Sequence, residues 1–444
     1  MRPADAMPKR ITMNNQSSIN LFHPLIAKWF TTRYGSPTPV QEQAWKRIAH
    51  GDHALICAPT GTGKTLASFL WAIDRLVTGE WAAGRTAVLY VSPMRALNND
   101  IQRNLLTPLD EIRTLFENER MHFPDIRVLT RSQDTPSSER RSMAKRPPEV
   151  LITTPESLNI LLTSKTGRSS LTGISSVILD EIHALFGTRR GTHLITAVER
   201  LTLLSGEFQR IALSATINPP ESVAAFIGGF RLEKSEAYSR RNVEIIKPRL
   251  EKSLSLKVSF PVNARSMVKD GSWWPALAED FRRIIGENHS TLLFANSRRT
   301  AERVARLINE GEDELLAYSH HGSLSKELRL EVERRLKQGE LKSIVATSSL
   351  ELGIDIGELD CVLMVQTPPS VSSALQRIGR SGHGVGDTSR GLIYPTHGRD
   401  FLDAAVVARS VIDGDVEPLG PPECPLDVLA QVILSMTCAE EWDI

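Results

Sequence analysis

No apolar run in this chain is long enough to span a bilayer, and its first residues, MRPADAMPKRITMNNQSS, lack the apolar core of a signal peptide. That segment reads as a polar, disordered leader. Cysteine is scarce. Cys57, Cys361, Cys424 and Cys438 lie far apart and form no CxxC pair, which argues against a disulfide framework and against a zinc site. They read as reduced thiols of a cytoplasmic protein. Excess charge is lacking too: the net charge is +1, so no global positive field advertises nucleic acid, and any such site must be a local basic groove. What is present is ordinary for a soluble chain. Its 41% hydrophobic content suits globular packing, and 444 residues are enough for two or three domains.

Against that background one stretch stands out. HALICAPTGTGKTLASFLWAIDRL, His53 to Leu76, begins with a buried-strand pattern and ends with a helical one. Between them, APTGTGKT fits the phosphate-binding pattern Gly-x4-Gly-Lys-Thr with Ala58 at its first position. Thr60, Gly61, Thr62, Gly63, Lys64 and Thr65 then form a cradle. Its glycines let backbone N–H groups turn onto phosphate oxygens, and the helix N-terminus adds its dipole. Lys64 is expected to neutralise the β- and γ-phosphates of ATP, and Thr65 to hold Mg2+.

A second stretch, ISSVILDEIHALFG, puts Asp180 and Glu181 at the C-terminal edge of another apolar strand, where parallel sheets place their ligands. Asp180 is the expected Mg2+ ligand. Glu181 is the expected base that orients and deprotonates the attacking water. His183, two residues on, is expected to hydrogen-bond across a domain cleft.

APTGTGKT, DEIH and QRIGRSGH, in this order, resemble the motifs of superfamily 2 helicases of the DExH type. PTPVQEQAW resembles the adenine-reading Q motif, with Gln41 on the base. SPMRALNND and TTPESL resemble first-domain strand-contact motifs, and SAT at Ser214–Thr216 resembles the motif that couples hydrolysis to movement. LLFANSRRTAE and ATSSLELGIDIG resemble second-domain motifs. TRSQDTPSSERRSM, RRGTHLITAVERL, HHGSLS and PLDVLAQ look most like the large helicase-related (Lhr) family, whose members are usually much longer. Gln133 departs from the family, where glycine is expected in R-x-G-D-T, which puts the local backbone conformation in question.

The resemblance implies an α/β fold of two tandem RecA-like parallel-sheet domains with ATP between them. The expected boundaries are a leader at 1–20, domain 1 at 21–232, a charged linker with a crossing strand at 233–253, domain 2 at 254–412, and at 413–444 the start of a further, winged-helix domain of a longer protein. Domain 2 has no phosphate cradle, so its part is to supply arginines. Charge develops on the γ-phosphate during hydrolysis, and a guanidinium from a second domain stabilises it only when the cleft is shut. Arg380 is the expected finger and Arg377 a second cation. Gln376 is expected to link across to the water or the acidic motif. His383 stands where many members have arginine, so either Arg377 shares that task or His383 is protonated. Gly353 and Asp355 are expected to face the nucleotide. Arg95, Asn98, Thr154 and Pro155 of domain 1, and Ser297, Arg298 and Thr347 of domain 2, are expected to grip strand phosphates. The implied function is a 3′→5′ ATP-dependent helicase or translocase on single-stranded or 3′-tailed DNA, acting in repair. RNA or an RNA–DNA hybrid as the track, and an ATP-gated clamp that does not unwind, remain alternatives.

Overall fold

A computed structural model describes residues 17–59, 61–93, 101–233, 237–248, 253–261, 272–351, 359–382 and 388–441. The leader residues 1–16 and Thr60, Arg95, Asn98, Gly353, Asp355 and His383 lie outside the described residues.

Two parallel sheets organise the chain. The first has seven strands: β1 (His53–Cys57), β2 (Val88–Val91), β3 (Val128–Arg131), β4 (Val150–Thr153), β5 (Ser176–Leu179), β6 (Gln209–Ser214) and, after the short antiparallel pair β7 (Phe230–Leu232) and β8 (Tyr238–Arg240), β9 (Val243–Ile246). Their order is β3-β4-β2-β5-β6-β1-β9, every pairing parallel. The second sheet has six: β10 (Leu254–Val258), β11 (Thr291–Ala295), β12 (Ala317–His320), β13 (Ser343–Ala346), β14 (Cys361–Val365) and β15 (Ser389–Tyr394). Their order is β10-β15-β14-β11-β13-β12, again parallel throughout.

Parallel strands need long crossovers, and helices fill them on both faces. In the first unit these are α1 (Pro24–Tyr34), α2 (Pro39–Ala49), α3 (Lys64–Val77), α4 (Thr107–Asn118), α5 (Ser137–Lys145), α6 (Pro155–Leu162), α7 (Lys165–Ser170), α8 (Arg189–Ser205) and α9 (Pro220–Gly228). In the second they are α10 (Trp274–Glu287), α11 (Arg298–Asn309), α12 (Lys326–Lys337), α13 (Val371–Ile378) and α14 (Gly398–Asp413), with α15 (Leu426–Thr437) beyond.

Strand alternation divides each core into two layers. Ala54, Ile56, Val88, Tyr90 and Ile178 pack into the layer on one face of the first sheet, and Leu55, Cys57, Leu89, Val91, Val177 and Leu179 into that on the other. The second sheet repeats this with Leu292, Phe294, Val362 and Met364 against Leu293, Ala295, Cys361 and Leu363. Helix α11 shows the matching 3.6-residue period, burying Ala301, Val304, Ala305 and Ile308.

Two boundaries differ from the sequence expectation. Residues 17–20, assigned to the leader, are ordered: Ser18 is buried, and its N–H and hydroxyl donate to the Glu42 carboxylate. Part of the 233–253 linker is β9, an edge strand of the first sheet beside β1. All four cysteines are free thiols, and burial pushes Cys57 and Cys361 up to about 11. Among the described residues no helix is long and apolar enough to cross a membrane.

Candidate active site

The cradle follows β1. Gly61 and Gly63 both have φ of +81°, the left-handed region that side chains resist, and Gly63 caps α3. A Cβ on Gly63 would also sit 2.5 Å from Gln41 Nε2 and would push the glutamine amide aside. Lys64 is buried, and its ammonium lies 3.4 Å from the Pro59 carbonyl. Thr65 is half-buried one residue into the helix.

Gln41 lies against the cradle. Its Oε1 accepts from the Thr38 N–H at 2.9 Å, closing a capping box on α2. Its Nε2 donates to the Gly63 carbonyl at 3.3 Å, while the Thr38 hydroxyl donates to the Thr62 carbonyl at 2.9 Å. In this conformation Gln41 braces the cradle instead of offering its amide to a base.

Asp180 and Glu181 leave the end of β5, separated from β1 by three strands in the chain but in the sheet only by β6. Both are buried. The Tyr90 hydroxyl donates to one Asp180 oxygen, and the Glu181 N–H donates to the other at 2.8 Å. Burial raises the Asp180 carboxyl to about 6; the adjacent Glu181 charge adds to this, and Tyr90 and Lys64 oppose it. Glu181 itself has φ of +48°, a strained conformation for a residue with a side chain and one that recurs where a side chain must be aimed. Tyr90 was not legible in the sequence. It reaches the acid because β2 lies against β5 in parallel register, Val91 opposite Leu179.

His183 makes its bond within the first unit rather than across the cleft: its Nδ1 accepts from the Ala215 N–H at 3.0 Å, inside the Ser214–Thr216 motif. That fixes the proton on Nε2, which is buried and has no hydrogen-bond partner among the described residues. Burial, with the Lys64 charge next, lowers this imidazole to about 4, so it stays neutral at ordinary pH.

In the second unit Gln376 and Arg377 lie on α13 and Arg380 just after it. Arg377 is buried and bonded within its own unit: Nη1 donates to Asn296 Oδ1 at 3.0 Å, and Nε and Nη2 each lie 3.3 Å from Glu351 Oε2. Its guanidinium also covers the Phe294 ring. Arg380 Nη2 donates to the Glu351 carbonyl at 2.9 Å, so both arginines converge on one residue. Gln376 is half-buried. Asn296 and Glu351 were not singled out by pattern, because neither type is diagnostic alone.

The residues expected to grip a strand sit at strand C-termini. Thr154 follows β4 and caps α6, accepting from the Ser157 N–H at 3.3 Å, with Pro155 at the first helical position. Ser297 follows β11 and caps α11, accepting from the Thr300 N–H at 3.1 Å; Arg298 is exposed and bonded to Ser323. Thr347 follows β13, its N–H donating to the His320 carbonyl at 3.2 Å. Arg190, from RRGTHL, ties this edge together by donating to the Pro93 carbonyl at 2.7 Å and to Glu156. At Gln133 φ is not positive, so the turn does not require glycine; Arg140 holds its carbonyl at 2.6 Å.

Comparison with known proteins agrees with this arrangement. Residues 38–224 match the DEAD/DEAH box helicase family and residues 276–384 the helicase conserved C-terminal domain. An Lhr helicase of Mycolicibacterium smegmatis is 43% identical over 98% of this chain and 30% of its own length. An ATP-dependent helicase Lhr-Core of Methanocaldococcus jannaschii is 42% identical over 94% of this chain and 49% of its own. The solved structure of Mycobacterium smegmatis helicase Lhr bound to ssDNA and AMP-PNP superposes with a TM-score of 0.86 at 45% identity, covering 96% of this chain and 55% of that one. The chain thus spans half or less of the length of these curated relatives. With the cradle, the acidic pair and the paired arginines in place on two parallel sheets, the chain belongs to the superfamily 2 helicases of the DExH type and is most like their Lhr family.

Proposed function

We propose that this chain is the ATP-hydrolysing motor of a helicase that tracks along single-stranded DNA in the 3′→5′ direction, with DNA repair as its setting. The observation that carries the reading is the buried Asp180–Glu181 pair at the end of β5, within the electrostatic reach of Lys64 at the mouth of the cradle. The N-terminus of α3 and the Lys64 ammonium receive the β- and γ-phosphates. Asp180 and Thr65 offer hard oxygen donors that suit Mg2+. Among the described residues no cluster of three acidic, histidine or cysteine side chains forms a cage, which fits an ion held largely by nucleotide phosphates. Bound there, Mg2+ would neutralise phosphate charge.

Glu181 accepts the proton of the attacking water. Its left-handed backbone aims the carboxylate, and Tyr90 fixes the neighbouring Asp180 so that the two acids hold separate orientations. Arg380 is the transition-state cation that acts when the cleft closes. Arg377, buried and bonded to Glu351 and Asn296, is the framework that holds it. His183 links the acidic motif to Ser214–Thr216, a route by which hydrolysis reaches the strand edge. Phosphate contacts by Thr154, Ser297, Arg298 and Thr347 carry no sequence information, as a translocase requires. The neighbour at TM-score 0.86 holds ssDNA and AMP-PNP, which favours this track and this nucleotide.

The test is ATP hydrolysis with single-stranded DNA against RNA of the same sequence, then unwinding of duplexes with 3′ or 5′ tails. Stimulation by DNA and opening of only the 3′-tailed duplex are expected. Stimulation by RNA alone would move the proposal to an RNA-directed motor, and hydrolysis without strand separation would make this chain an ATP-gated clamp.

A further inference from the structure

Beyond α14 the chain makes a short passage that touches both units. On one side, Glu417 reaches the start of α13. Its Oε2 accepts from the Val371 N–H at 3.1 Å and its Oε1 from the Ser372 N–H at 3.2 Å, contacts separated by 46 and 45 residues in sequence. The Ser370 hydroxyl accepts the next N–H, that of Ser373, at 3.0 Å. Three amides that the helix cannot satisfy internally are thus satisfied, two of them by a carboxylate at the positive end of the helix dipole. On the other side, the Val416 carbonyl accepts from Asn218 Nδ2 at 2.8 Å, and the Leu419 N–H donates to the Asn218 carbonyl at 2.9 Å. Val416 is buried, and Leu419 packs on the first sheet's core. Asn218 stands two residues after the Ser214–Thr216 motif that His183 holds.

Helix α13 is short, about 12 Å at 1.5 Å per residue, and a helix of two turns does not orient itself. Its N-terminus is a pivot, and Arg377 and Arg380 lie at the far end. We propose that Glu417 is a positioning residue for these arginines, and that residues 416–419 are a brace setting α13 against the Ser214–Asn218 loop of the first unit. This rests on the reading of the chain as an ATP-hydrolysing motor. The brace links the arginine helix to the loop beside the acidic motif through protein alone, so the two ends of the hydrolytic site are registered before any nucleotide enters.

The experiment compares the parent with Glu417→Ala, Glu417→Gln and Asn218→Ala. It reads amide hydrogen exchange across residues 369–380, thermal melting, and the KM for ATP and kcat on saturating single-stranded DNA. Glu417→Ala should speed exchange at Val371 and Ser372 and lower kcat about ten-fold, with KM within about two-fold. Glu417→Gln keeps one acceptor and should fall between. Asn218→Ala, which removes the bond to the Val416 carbonyl and keeps the backbone bond to Leu419, should lower kcat in the same sense and by less. Faster exchange with unchanged kcat would make Glu417 a helix cap and nothing more. A loss of kcat matched by a rise in KM and a lower melting temperature, without rescue by Gln, would reduce it to general stability. Either overturns the proposal, as does unchanged exchange. A parent that hydrolyses no ATP would sink the functional reading instead, and protection of the two amides would then decide the brace alone.

Discussion

At the scale of single residues, the informative group is Asp180. Its folded carboxyl titrates near 6, above the ordinary value of 3.8. A raised acid contributes its stability below the unfolded pKa and loses it as pH rises through the folded one, so ionised Asp180 is a cost at neutral pH, on the order of 2–3 kcal/mol. Asp180→Asn removes that cost while losing one acceptor, since Asp180 takes both the Tyr90 hydroxyl and the Glu181 N–H. The melting temperature of Asp180→Asn relative to the parent should therefore climb between pH 4 and pH 7. A difference that stays flat or shrinks with pH would contradict the burial of this charge. Glu181→Gln keeps the shape and loses the base. It should bind nucleotide as the parent does and turn over about 10²–10⁴ times more slowly, checked by nucleotide affinity and steady-state hydrolysis on the same protein. Both acids were legible because strand, acid pair and helix-like sequel fall within fourteen adjacent letters, ISSVILDEIHALFG. Tyr90 was not, because only the pairing of β2 with β5 brings it there. Gln41 was legible as a candidate, but not the bonds it makes to α2 and the cradle. A capping box and a cradle brace use the same amide that a base would need.

At the scale of elements, α13 divides two arginines that one short motif presents as equals. Arg377 is buried, paired with Glu351, bonded to Asn296 and laid on Phe294. Removing one partner of a buried pair is costly, so Arg377→Ala should destabilise the second unit by about 3–5 kcal/mol. Denaturant melts of that variant should show the loss, and a melt like the parent's would deny Arg377 its framework role. Arg380→Ala, which removes a buried bond to a backbone carbonyl, should lose less stability than Arg377→Ala. Continuous apolar runs made the parallel cores readable: VIL and LLFA are what a sheet covered on both faces requires. The strand in the linker was expected, but not its place as edge strand β9 of the first sheet, because Val243–Ile246 is flanked by SRRN and KPR, charges that an edge tolerates and that a sequence reading takes for linker. Arg190 escaped because its partners, Pro93 and Glu156, are 97 and 34 residues away.

At the scale of the molecule, the chain divides its chemistry between two sheets. The first carries the cradle, the acids and the His183 link, and the second carries arginines that its own fold holds in reserve on Glu351. Helix α15 returns to the first unit, where Arg200 donates to Ser435 at 2.9 Å and Arg168 pairs with Glu440, while Leu426, Leu429, Ile433 and Leu434 stay exposed. The sequence foresaw this helix but not its seat on α8, since Arg168 and Arg200 are indistinguishable by pattern from any surface arginine. We propose that this division of labour makes hydrolysis depend on closure, and that is the central claim. The most direct test is steady-state ATP hydrolysis with and without single-stranded DNA, run side by side on the parent and Arg380→Ala, with nucleotide affinity measured on both. The account predicts stimulation in the parent, near-equal nucleotide affinity, and stimulated turnover in Arg380→Ala lower by about 10³–10⁵. Turnover in Arg380→Ala equal to the parent's would show that the second sheet does not complete the site.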